Sequence, residues 1–195
     1  MASRVTNPPQ VEPVSLDDAK NHLKVDFSTD DTLIEVLITA AREVAEDYTN
    51  QKFITQTIEE TFNSFPSSTP LSPYCELQLA FGPLIQVVSI RSLNSEGTYD
   101  EAIDQENYTA SDTITPPVVI PKLDYSWPTT VDHPEAVKVV YHAGFGAAAT
   151  DVPKGIKQAM LLMIGYWYEN RIDSVRKMPT QAEWLLRRYR IQTIH

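Results

Sequence analysis

Apolar residues recur at three- and four-residue spacing toward both ends of this chain and at two-residue spacing between them. Leu33, Leu37, Ala40/Ala41, Val44 and Tyr48 form one helical stripe, which must pack on other helices. Thr29-Asp30-Asp31 sets acidic groups at the positive end of that helix, and Asn50 suits the left-handed residue that ends it. Ahead of it, Val14-Ser15-Leu16-Asp17-Asp18 has capping-box spacing and predicts a short helix over 16–24, with Ser15 accepting from a first-turn amide and Asp18 answering it. Ile156, Ala159/Met160, Met163/Ile164 and Trp167 predict a third helix, apolar around much of its circumference and therefore central, with Asp151 as N-cap and Pro153 in its first turn. Residues 171–178 read as a polar link, and Pro179-Thr180 opens a last helix, QAEWLLRRYRI.

From Phe53 to His142 the pattern shortens to period two. Ile54, Ile58 and Phe62 share one side of a strand pattern, Cys75, Leu77, Leu79 and Phe81 a second, and Val137, Val139 and Tyr141 a third. Asn94-Ser95-Glu96-Gly97 is a turn signal between predicted strands at Val87–Leu93 and Thr98–Ile103. Five or six antiparallel strands, each burying one face, are expected, with Pro66–Pro73 and Pro116–Pro128 as stiff connections. The fold class is therefore α+β: a helical bundle made by the N- and C-terminal helices, carrying an inserted antiparallel β-subdomain. The expected division is an arm at 1–13, the bundle at 14–52 and 150–178, the insertion at 53–149 and a C-terminal helix and tail at 179–195. The arm and the end beyond Ile191 are expected to be unordered in the free chain.

Charge alters this picture. The 195 residues carry 16 Lys and Arg against 26 Asp and Glu, a formal net charge of −10. Such a chain cannot coat nucleic acid by neutralising phosphates. The charge is also unevenly placed: residues 1–153 hold 8 basic and 23 acidic side chains, residues 154–195 hold 8 and 3. A basic end on an acidic body points to a partner met by that end, or to a tail folded back on its own body. Trp184, Leu185, Arg187, Arg188, Tyr189 and Arg190 are candidates for the docking residues, because aromatic and arginine side chains dominate binding hot spots. The competing reading makes Trp184 a cap on the bundle.

Catalytic and ligand motifs are weak by comparison. Gly144-Phe145-Gly146-Ala147-Ala148-Ala149 has dinucleotide-binding spacing after a strand and before a helix. The predicted helix cap at Asp151 lies beyond it, so the segment reads as a hinge and no cofactor is expected. His22, His133, His142 and His195 have no histidine at i+4, Asp18 and His22 read as a surface pair, and no metal is expected. Asp26, Asp30 and Asp31 lack the alternation and glycine of a calcium loop. The single cysteine, Cys75, excludes a disulfide framework and fits strand core better than a nucleophile. No catalytic residue is expected. No apolar run reaches the length of a membrane span and the opening residues lack a secretory signal, so a soluble, intracellular chain is expected.

The order of features resembles a known family. E12-P-V-S-L-D-D-A-K20 followed by H22-L-K-V-D26, then D30-D-T-L-I through A40-A-R-E-V-A-E-D-Y48, resembles the opening of the head–tail connector proteins of tailed phages, prophages and gene transfer agents. I156-K-Q-A-M-L-L-M-I-G-Y-W-Y-E-N-R171 is similar to the same family's long helix. The resemblance implies a structural adaptor, assembled in the host cytoplasm, that forms a ring, commonly of twelve copies, under the portal of a particle. Such a ring extends the DNA channel without binding DNA specifically and seats the next neck, stopper or tail protein. It also implies that the region after the long helix docks on the portal, the role expected for Trp184, Leu185, Arg187, Arg188, Tyr189 and Arg190. A DNA-packaging accessory that binds duplex DNA is the alternative, and a hydrolase using surface carboxylates a third reading.

Overall fold

The computed structural model describes residues 2–68, 74–170 and 178–191. Most of the expected polar link and the end beyond Ile191 lie outside those residues. The protein is of mixed α and β structure, and it divides into two compact units. One takes residues 2–8 and 55–144; the other takes 9–54, 145–170 and 178–191.

The second unit is helical: α1 (Leu16–Leu23), α2 (Asp31–Thr49), α3 (Lys154–Glu169) and α4 (Thr180–Arg187). Ser15 caps α1 as its spacing predicts, its hydroxyl accepting from the Asp18 amide at 3.1 Å. The Asp18 carboxylate answers the Ser15 hydroxyl at 2.8 Å, rather than forming the expected pair with His22. Lys24 and Asn50, both left-handed, end α1 and α2. Asp30 precedes α2, but its carboxylate accepts from the Tyr168 hydroxyl on α3 instead of capping the helix. The α3 start is also corrected: Asp151 closes a 3-10 turn at Ala149–Asp151, and Pro153 occupies the position just before the helix. Ile34, Ile38 and Ala41 of α2 meet Ile156, Met160, Met163 and Trp167 of α3 and Ala182 and Leu186 of α4 in one core. Each large apolar side chain buried there contributes roughly 1.5–3 kcal/mol.

A polar knot ties the end of α2 to the turn after it. Glu46, almost fully buried, accepts from the Phe53 amide at 3.0 Å and from the Lys52 ammonium at 3.2 Å. Arg42, one helical turn back, reaches Glu46 at 3.4 Å and Glu12 at 2.9 Å.

The first unit is built from strands. Sheet order is β1 (Ala2–Asn7), β2 (Gln56–Phe62), β7 (Val137–Ala143), β4 (Leu84–Ser92), all antiparallel; a second sheet runs β3 (Leu77–Gln78), β6 (Val118–Pro121), β5 (Tyr108–Ser111). Ile58, Val87, Val137, Val139 and Tyr141 of the first sheet share a core with Leu77, Tyr108 and Val119 of the second. The opening residues, expected to be unordered, form β1 against β2, with all six residues exposed. Its bonds are to a strand more than fifty residues away, which no local pattern announces. Thr98–Ile103 is not a strand; among the described residues it is joined to the sheet side by one isolated antiparallel bridge, Leu93 with Tyr99. The Asn94–Gly97 turn is present: the Asn94 side chain accepts from the Glu96 and Thr98 amides, and Gly97 takes φ +79°. Cys75 is half-buried with φ +53°, outside any strand.

Candidate docking surface

Within the helical unit, α4 sorts its side chains by helical spacing. Ala182 and Leu186, four apart, are fully buried. Leu185 and Tyr189 are half-buried against the same core. Trp184, Arg187 and Arg188 lie on the opposite side; Trp184 is 74% exposed and both arginines are exposed.

The turn after α4 is fastened to the end of α2. Ile191 donates its amide to the Thr49 carbonyl at 2.8 Å, and the Asn50 side-chain amide donates to the Ile191 carbonyl at 3.0 Å. The Tyr189 phenol lies against Gly155 at the start of α3, where an added Cβ would stand 2.9 Å from its oxygen. Arg188 stacks over the Tyr189 ring at 4.7 Å and Arg190 over the Tyr48 ring at 5.2 Å, both cation–π distances.

The six predicted residues therefore do not form one surface. Trp184, Arg187 and Arg188 share an outward face; Leu185 and Tyr189 are largely packing residues, and Arg190 leans on α2. The pattern hidden by a plain count of arginines was the Ala182–Leu186 spacing, which fixes what α4 turns inward. An indole 74% exposed on the same outward face as two arginines has the composition of a binding hot spot rather than the burial of a core cap.

The Gly-Phe-Gly segment has a local explanation. Gly144 adopts φ +146°, a conformation side chains rarely take. A Cβ on Gly146 would fall 2.1 Å from the Asp151 carboxylate, which accepts from the Ala148 amide at 2.9 Å. An acidic group already fills the place where a phosphate would meet those amides. Among the described residues no cluster of three or more His, Cys, Asp or Glu is placed to hold a metal, and no helix is long and apolar enough to cross a membrane.

Residues 13–79 match the family model described as phage gp6-like head-tail connector protein. The match begins just ahead of α1 and runs through α2, β2 and β3; it covers the first of the two stretches on which the resemblance rests and not the long helix at 156–171. The whole chain also shares the fold of solved neck components of gene transfer agent (GTA) particles. A chain from the neck of an empty GTA particle with C6 symmetry superposes with TM-score 0.79 at 18% identity. Chains from the virion of a native GTA particle and from a native neck with C12 symmetry each give 0.77 at 19%. In all three, the likeness covers 100% of this chain and 98% of the other. No curated protein matches the sequence. The likeness in fold thus extends through the strands, where the sequence resemblance reaches only the layout.

Proposed function

We propose that this protein is a structural head–tail connector, working as a ring in the neck of a phage or phage-like particle. The observation that carries this reading is the connector-family match over 13–79 within a fold shared, end to end, with GTA neck chains. In this reading, helices from both ends of the chain form the bundle, the strands are its inserted subdomain, and no catalytic step is involved. The ring extends the DNA channel below a portal and seats the next neck or tail protein. A wall of acidic subunits lets DNA slide, because like charges prevent its phosphates from adhering. The same net charge of −10 disfavours the duplex-binding alternative.

The outward face of α4, with Trp184, Arg187 and Arg188, supplies the contact to the portal. Deleting the C-terminal helix would strip Ala182 and Leu186 from the core, so a surface variant is the better probe. W184A/R187E should keep its fold and fail to co-purify with portal-bearing heads. Retention of the variant at the wild-type level would contradict the docking role.

A further inference from the structure

The strand unit carries twelve acidic and four basic residues, and three of the four bases lie on one face of one sheet. Register fixes this. Val137, Val139 and Tyr141 of β7 point into the core, so Lys138, Val140 and His142 point outward. Arg4 of β1 stands in the outward row through its partner Glu59, which pairs with Val140, and Arg91 of β4 is directly opposite Lys138.

Like charges directly opposite on neighbouring strands are unfavourable unless something anionic meets them. Glu59 serves two of the cations, Arg4 at 2.8 Å and Lys138 at 3.7 Å. Lys138 also lies over the Tyr99 ring at 4.3 Å. Arg91 is exposed and has no ion-pair partner among the described residues. Three residues back on β4, Val88 stands at a bulge and is 43% exposed, and Val140, opposite Ser89, is half-exposed. This face is a small apolar strip bordered by Arg91, whose charge no carboxylate among the described residues meets, whereas Arg4 and Lys138 share Glu59, with Glu135 lining the same hollow.

The complementary surface is on the same chain. On α2, Val36 and Glu43 are seven residues apart and so point in nearly one direction, with Ala40 and Asp47 beside them. Val36 is 60% exposed, although the rest of the helix buries its apolar residues, and Glu43 and Asp47 are both exposed. This strip is apolar and bordered by negative charge.

We propose that the outward face of the four-stranded sheet in one copy receives the Val36–Glu43–Asp47 face of α2 from the next. The two faces differ, so the contact is head-to-tail and propagates from copy to copy, closing a ring when the rotation allows. The inference rests on the ring reading above and names the interface that builds it. Charge complementarity across such a contact sets its register and excludes wrong pairings.

The test is light scattering on the full chain as wild type, R91E, E43R and an equimolar mixture of the two variants, with thermal melts showing that each is folded. R91E and E43R each weaken self-association by at least about tenfold, since each places like charges together. The mixture recovers it, because the reversed sheet of one variant meets the reversed helix of the other while the remaining faces are native. A wild-type assembly indifferent to both changes, or weakened without recovery on mixing, overturns the interface alone. Wild-type protein that stays monomeric both free and on portal-bearing particles overturns the ring reading together with it.

Discussion

The phenol of Tyr141 on β7 donates a hydrogen bond of 3.0 Å to the carboxylate of Glu60 on β2, inside the strand core. The same carboxylate oxygen accepts from the Ala80 amide at 3.1 Å, and the Tyr141 oxygen accepts from the Phe81 amide at 3.4 Å. The pair therefore ties the segment after β3 to the central strands. The other Glu60 oxygen is buried with no partner among the described residues. Burial raises the Glu60 carboxyl from the usual 4.5 to about 7, against the lowering effect of the Ala80 and Tyr141 bonds. Burial, with the nearby Glu60, also raises the Tyr141 phenol.

A folded-state pKa above the unfolded one means that the folded chain holds the proton more tightly. The stabilisation from Glu60 is complete below about 4.5 and is lost as pH rises through about 7. E60Q, which keeps an acceptor for Tyr141, should remove this component. Urea unfolding at pH 5 and pH 8 measures it: the wild type should lose more stability than E60Q over that interval. Parallel profiles would contradict the assignment.

Glu46 neutralises two nearly buried cations, Arg42 and Lys52. E46A leaves Lys52 and the Phe53 amide without the carboxylate and should destabilise the helical unit by about 3 kcal/mol. Denaturant titration reads this directly, and a loss within experimental error would show that the knot contributes little.

Gly146 and Asp151 should be coupled. G146A pushes the Asp151 carboxylate off the Ala148 amide and should cost about 1 kcal/mol, the value of a lost cap. In a D151A background, the same change should cost much less. A double-mutant cycle measures the coupling, and additive effects would contradict it.

Two residues of α4, two positions apart, should behave in opposite ways. L186A removes a fully buried side chain and should cost about 2–5 kcal/mol. W184A, at 74% exposure, should change stability by no more than about 0.5 kcal/mol. Thermal melts of the two variants distinguish an outward indole from a core cap.

The helical unit was the more legible part of the sequence because its signals are local. Ser15, the α2 stripe and Asn50 act within one or two turns, and all three appear where spacing places them. The strands depend on distant partners. β1 has no buried side to create an alternation, and Thr98–Ile103 has strand composition but a single bridge. Glu60 was legible in principle, since it falls on the same side of the β2 pattern as Ile58, although its pairing with Tyr141 spans eighty-one residues. Residue type brings six side chains together as docking candidates, whereas the Ala182–Leu186 spacing adds that Trp184, Arg187 and Arg188 face outward and that Leu185 and Tyr189 pack on the core.

Electron microscopy of particles assembled with and without this chain tests the central claim most directly. With it, heads should carry a ring of copies between portal and tail; without it, heads should end at the portal and remain tailless. Tailed particles with an intact neck in the absence of the chain would contradict the account.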